Sequence, residues 1–457
     1  AQAGELSFTS GHPGRTDRQL TVAQLESQRD VALPRRLIYL SELRGMLGEF
    51  QNRGPEQRRT ANTLLFYVEN SVKALKGMRE ALTEKELMDG KVADERKLRE
   101  WVAADPPRQQ SFGGAWAAIE AAQREYRNQV DEYLFVEGGG RSPWGFQSDL
   151  FSIARTLVRA ADERAKPNEQ RLREYGDANL PNLEQRLFSD APIHPELERA
   201  LLTFSLTKLR EALGTDHPLV KKVLGKESPE SLARTVVDGS KLRDPKVRKA
   251  LYDGGAQAVA ASKDPMIVLF RTIDPDARAI RSRFENTVDA VSRKNGELIA
   301  RAKFEAYGTS VYPDATFTLR LSYGAVDGWE QDGKTIAPIT AIDGAFERAT
   351  GKDPYALPPS WWKARSSLDP KTPMNFVTTN DIVGGNSGSP VINRAGEVIG
   401  LIFDGNLPSL GGDYGFDPSV NRAVAVHSEA ILAALRIIYP GQRLVDELIP
   451  PATASGR

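Results

Sequence analysis

Near residue 310 the spacing of the apolar residues changes, and that change limits what the chain can build. Upstream, Leu64, Leu65, Val68, Val72, Leu75, Met78 and Leu82 recur at intervals of three and four and stack on one helix face. Downstream, Thr316-Phe317-Thr318-Leu319-Arg320-Leu321-Ser322-Tyr323 alternates in the manner of a half-buried strand. Residues 17–309 are charged and helix-periodic, punctuated by Gly54-Pro55, Asp105-Pro106-Pro107, Gly138-Gly139-Gly140 and Pro192. Ahead of them, Leu6-Ser7-Phe8-Thr9 reads as a lone strand running into the turn Gly11-His12-Pro13-Gly14. A long helical region therefore separates one strand from the rest.

Beyond residue 310 turn signals follow one another closely. Gln331-Asp332-Gly333-Lys334 has hairpin chemistry, and Arg394-Ala395-Gly396-Glu397 joins the strands Val391–Asn393 and Val398–Phe403. Further strands are expected at Asn375–Thr379 and Val424–Val426. A closing helix is expected over Ser428–Tyr439, where Ile431, Leu432, Leu435 and Ile438 share a face. Antiparallel strands without intervening helices predict a β-barrel or sandwich rather than a parallel α/β sheet.

Composition mainly excludes. Lys+Arg and Asp+Glu are both 61, so the whole-chain charge gives no reason to expect a nucleic acid or an anionic membrane as partner. There are no cysteines, which rules out disulfides, thiol catalysis and thiolate metal sites. No run approaches the roughly 20 apolar residues of a membrane span. Gly138-Gly139-Gly140 lacks the Lys and Ser/Thr of a phosphate loop. No metal site stands out, and no cofactor is expected.

One motif carries chemistry. A serine hydroxyl needs a base to take its proton and donors to hold the oxyanion formed on attack. In Gly384-Gly385-Asn386-Ser387-Gly388-Ser389-Pro390 the N–H groups of Gly385 and Ser387 have the spacing of a chymotrypsin-like oxyanion hole, with Ser387 as nucleophile. Gly385 permits the required turn, Gly388 leaves the serine uncrowded, and Pro390 opens the next strand. Asn386 cannot form the ion pair that an Asp makes with a newly exposed N-terminus, which argues against that mode of zymogen activation. The chain order Ser387, then Asp404, Asp413 or Asp417, then His427 also fits an α/β-hydrolase triad. Against it, Ser389 replaces the last glycine of a nucleophile elbow, and Pro390-Val391-Ile392 reads as strand where a helix is needed. His427 reads instead as a helix-entry or surface residue.

Four stretches together resemble the bacterial dipeptidyl-peptidase 7/11 type of serine exopeptidase. They are Ser10–Thr16, Tyr312–Arg320, Asp381–Pro390 and Gly400–Asn406. The resemblance implies an α+β fold: a chymotrypsin-like double β-barrel with a large all-helical domain inserted. Residues 1–16 would end the first barrel, 17–309 would form a helical cap, and 310–457 would form the second barrel with the nucleophile and C-terminal helix. It implies release of dipeptides from the free N-terminus of peptides, in the periplasm, the cell envelope or outside the cell. By residue match, Ser387 is the nucleophile, and Asp404 and Asn70 hold the substrate's α-ammonium. Gly405 stands where an Arg occurs in members selective for acidic P1 residues, which predicts apolar or aromatic P1 favoured over acidic. Homodimerisation is left open.

The resemblance also exposes what is missing. The base His and its orienting Asp belong to the first barrel, and His12, His194, His217 and His427 offer no substitute. The chain therefore reads as the C-terminal portion of a longer enzyme, an incomplete catalytic unit by itself. Two other readings remain: an endopeptidase of the glutamyl or HtrA kind, and a non-catalytic peptide-binding relative.

Overall fold

The computed structural model describes residues 1–138, 145–311, 313–352 and 354–449. Within the sequence motifs read above, Gly139, Gly140 and Tyr312 lie outside the described residues. Two compact units divide the chain: residues 1–20, 77–94 and 307–457 form one, and residues 21–76 and 95–306 form the other.

Among its described residues the first unit contains nine strands: β1 (Leu6–Gly11), β2 (Arg320–Ala325), β3 (Trp329–Gln331), β4 (Lys334–Ile336), β5 (Ile339–Ala341), β6 (Pro373–Thr378), β7 (Pro390–Asn393), β8 (Val398–Gly405) and β9 (Ala423–His427). Seven make one antiparallel sheet in the order β2-β1-β7-β8-β9-β6-β5, while β3 and β4 pair separately. β1 lies between β2 and β7, with Phe8 opposite Tyr323 on one side and Ile392 on the other. The sheet curls, because Val326, just past β2, bridges to Thr378 at the end of β6. Its core is Val326, Phe376, Val391, Ile399, Ile402, Ala423 and Ala425. The period of two is plain in β9, where Ala423, Ala425 and His427 are buried and the residues between them are not.

The β3–β4 turn is of type I′, with Asp332 at φ 52° and Gly333 at φ 71°. The strand expected over residues 316–323 starts only at Arg320. Phe317 is the reason: at φ 63° it leaves the extended region, and its N–H donates to Pro13 O at 2.9 Å. Two short helices, Asp343–Glu347 and Pro359–Ala364, intervene between β5 and β6 where none was expected. They bury Phe346 and Ala364 against Ile342 and Leu368 in a core of their own. The structure supports a mixed fold of helices and antiparallel sheet. The strand pairings establish the curled sheet and stop short of a closed barrel.

The second unit is helical. Many of its helices begin with a capping side chain followed by proline, as at Asp105-Pro106, Ser228-Pro229, Asp244-Pro245 and Asp264-Pro265. The cap oxygen takes a backbone N–H that the helix cannot satisfy, and proline tolerates the first helical position. The face of Leu64, Leu65, Val72 and Leu75 packs onto Leu43, Leu47 and Phe50, as its spacing predicts. A larger core includes Leu150, Leu157, Leu202, Leu206, Phe270 and Ile273. Buried beside it, Arg159 donates two hydrogen bonds to Glu137 (2.8 and 2.7 Å) and one to Asp274 (2.7 Å). The side chains of Arg159 and Glu137 are both 0 % exposed, so neither charge could stay there alone.

Candidate active site

The loop between β6 and β7 carries Ser387, and its backbone is fixed from both ends. On the far side, Gly388 N–H donates to Ile402 O (2.7 Å) and Ile402 N–H donates to Ser389 O (2.9 Å), which joins the loop to β8. Within the loop, Asn386 N–H and Nδ2 both donate to Val383 O, at 3.2 and 3.0 Å, and Ser389 N–H donates to Asn386 O at 2.9 Å. Asn386 and Ser389 are buried by this folding, whereas Ser387 is exposed. Asn386 is thus spent on shaping the turn.

Around the serine, the N–H groups of Gly385 and Ser387 stay out of this bonding. Among the described residues, neither Gly385 N–H nor Ser387 N–H has an acceptor. Their neighbours Asn386, Gly388 and Ser389 are all engaged. The two free donors are those the sequence spacing picks out for an oxyanion hole. Gly385 adopts φ 107°, a conformation that L side chains avoid, and a Cβ there would lie 2.5 Å from His12 O.

The turn after β1 forms the bed under this loop. A Cβ on Gly11 would come within 2.1 Å of Ser389 Oγ and 2.5 Å of Asn386 Oδ1. Gly14 N–H donates to Gly384 O at 2.7 Å. Arg18 clasps Asp381, at the head of the loop, with Nη1 to Oδ2 at 2.5 Å and Nη2 to Oδ1 at 2.8 Å. By sequence alone the Gly-His-Pro-Gly stretch is an exit turn, and neither Arg18 nor Asp381 has an assigned role. Two closely spaced glycines were the available signal, but what they approach is far away in the chain.

Asp404 and Gly405 end β8, just past a register shift between Ile402 and Asp404. The bonds through Ile402 bring this end of β8 alongside the Ser387 loop. Asp404 is exposed and accepts Gly405 N–H at 2.9 Å. Asn70 is exposed on the helix Pro55–Ala81 and belongs to the other unit. A cavity of about 670 Å³ opens beside the head of the loop, lined by Arg18, Leu321, Tyr323, Asp381, Val383 and Phe416 among others; Ser387, Asp404 and Gly405 do not line it.

The histidines have other work. His194 and His217 stand at helix starts, and His217 Nδ1 accepts Leu219 N–H at 3.2 Å. His427 is buried, its Nδ1 accepting Glu429 N–H at 3.1 Å and its Nε2 lying 2.7 Å from the nitrogen of Ala1. Burial lowers its pKa. Its role is helix entry, which removes the α/β-hydrolase triad. His12 is exposed, its ring 5.9 Å from that of Phe317. Among the described residues Ser387 Oγ has no hydrogen-bond partner, and no group of three or more His, Asp or Glu could hold a metal ion. No described helix is long and apolar enough to cross a membrane.

The family model described as Peptidase S46 matches residues 1–450. Over 98 % of its length the chain is 26 % identical to an Asp/Glu-specific dipeptidyl-peptidase of Shewanella putrefaciens, covering 65 % of that protein. It is also 26 % identical to a dipeptidyl-peptidase 7 of Porphyromonas gingivalis, over 98 % of the chain and 63 % of the relative. The crystal structure of Porphyromonas endodontalis DPP11 in complex with the dipeptide Arg-Glu matches with a TM-score of 0.76 at 21 % identity, over 98 % of this chain and 65 % of that one. The chain thus spans just under two thirds of these relatives and shares the fold of that part.

These comparisons correct one expectation. Relatives named Asp/Glu-specific, and DPP11 structures holding Arg-Glu and Arg-Asp, contradict the preference for apolar or aromatic P1 over acidic that was drawn from Gly405. The physical reason is that one glycine reports only a missing side chain, whereas the whole pocket wall sets its charge. Packing already accounts for glycine here, since a Cβ would sit 3.1 Å from Ser409 Cβ.

Proposed function

We propose that this chain, which belongs to the peptidase S46 family, is the nucleophile-bearing part of a serine dipeptidyl-peptidase. The observation that carries the reading is the pair of unengaged donors, Gly385 N–H and Ser387 N–H, at an exposed serine whose neighbours Asn386, Gly388 and Ser389 are bonded. Ser387 Oγ attacks the carbonyl of the second residue of a peptide. The oxyanion is held by the two N–H groups, and the dipeptide leaves by hydrolysis of the acyl-enzyme. The general base and its orienting carboxylate come from outside these 457 residues. Asp404, exposed at the end of β8, is assigned to the substrate's α-ammonium, where an ionised carboxylate is the fitting acceptor. The assignment of Asn70 to the same amine rests on resemblance alone. The Asp/Glu-specific relatives support acidic residues at P1. The bridge from Val326 to Thr378 supports reading the curled sheet as a chymotrypsin-type barrel.

The test uses the full-length protein that contains this chain. Peptides with free or acetylated N-termini, carrying Asp, Glu, Leu or Phe at the second position, are incubated and the products weighed by mass spectrometry. Dipeptides should come only from the free-amine series, and Ser387→Ala should reduce release by at least about a thousandfold. Equal cleavage of acetylated peptides, or full activity in the alanine variant, would overturn the proposal.

A further inference from the structure

The loop that presents Ser387 is anchored differently at its two ends. After the serine, the β-ladder holds it through Gly388, Ser389 and Ile402. Before the serine there is no strand from Asp381 to Ser389, and two contacts with the segment after β1 take the ladder's place. One is the single bond from Gly14 N–H to Gly384 O, and the other is the Arg18–Asp381 ion pair.

That pair has the geometry of a clamp. The guanidinium meets the carboxylate with two parallel bonds, an arrangement that fixes direction as well as distance. Arg18 is itself held, with Nε and Nη2 donating to Gly412 O at 2.9 and 2.8 Å and its own carbonyl accepting Lys91 Nζ at 2.8 Å. The Arg18 side chain is 11 % exposed and that of Asp381 27 %, so water screens the pair far less than a surface salt bridge.

We propose that Arg18 and Asp381 are positioning residues for the reaction at Ser387, fixing the loop upstream of Gly385 so that its N–H and that of Ser387 point to one oxyanion. The Gly385 peptide is vulnerable because glycine at φ 107° has no side chain to oppose rotation, and a rotated peptide would turn the donor away. The clamp supplies that resistance from outside the loop. This inference rests on Ser387 being the nucleophile.

Asp381→Asn and Arg18→Lys, each keeping the volume nearly unchanged, test it in the full-length protein, alone and combined. Each should lower kcat for dipeptide release by about ten- to a hundredfold, leave KM within about threefold, and show little further loss in combination. Amide hydrogen exchange across residues 382–389 should quicken by about tenfold or more, with β6 and β9 unchanged. Retained kcat with unchanged exchange overturns the proposal, as does faster exchange spread evenly over the sheet, which would mark a merely structural pair. A wild-type protein that releases no dipeptide would overturn the functional reading instead, and the exchange pattern would still decide whether the clamp holds the loop.

Discussion

The helical unit and the sheet unit are assembled over opposite distances in sequence. In the helical unit a helix is started by its own neighbours: Ser228 accepts Ser231 N–H, Asp264 accepts Met266 N–H, and proline follows each cap. In the sheet unit the decisive partners are remote: β1 pairs Leu6 with Ala325 and Thr9 with Val391, and Arg18 pairs with Asp381. The comparison teaches that local chemistry starts many of the helices, whereas the Ser387 loop is shaped by segments from both ends of the chain. The helical unit has long-range contacts too, such as Glu198 accepting the N–H of Leu150 and the buried Arg159–Glu137–Asp274 cluster, and that cluster offers the sharpest way to break the contrast.

Replacing Arg159 with Met should have the largest effect. It removes three hydrogen bonds from buried Glu137 and Asp274, which keep Arg155 and Arg278, and should destabilise the helical unit by about 3 kcal/mol. Urea unfolding followed by hydrogen exchange should place that loss in residues 95–306, with the sheet unit unchanged. A loss spread evenly over both units would show that they unfold together and would erase the distinction.

The second effect lies in the sheet unit and depends on pH. Burial pushes the Asp413 carboxyl up to about 6, reinforced by Asp17 and more weakly by Asp314, with Arg18 and Arg15 acting in the opposite sense. A carboxyl with a raised pKa favours the fold while neutral, so its contribution is full below the unfolded value near 3.8 and is lost as pH rises through about 6. Asp413→Asn should therefore stabilise the protein at pH 7 by about 2 kcal/mol and make little difference near pH 3.5. Thermal melts at the two pH values measure this, and a gain at acid pH instead would refute the sign.

The smallest effect tests the local rule itself. Ser228→Ala removes the cap of the helix Pro229–Gly239 and should cost about 1 kcal/mol in urea unfolding, with no change in the sheet unit. No measurable loss would mean that this helix is set by packing rather than by its cap.

The legibility of the sequence follows the same division. The helix face Leu64–Leu75 and the turns at Asp332-Gly333 and Gly396 were readable, because spacing of three and four, or a glycine at positive φ, is written in adjacent residues. Phe317 was not, since nothing in an alternating run announces one residue at φ 63° held by Pro13. Gly405 misleads: a missing side chain suggests pocket chemistry, whereas Ser409 leaves a Cβ there little room.

At the site, sequence alone singled out Ser387 and the N–H groups of Gly385 and Ser387, because that spacing lies within one loop. It also gave none of the four histidines the setting of a barrel-type base. Only the tertiary structure decided that Gly11, Gly14 and Arg18 form the bed beneath that loop, that Ile402 of β8 bonds to it, and that His427 caps a helix. The physical reason is range: a turn's φ and ψ are set by neighbouring residues, whereas close approach and ion pairing depend on which distant segments the fold brings together.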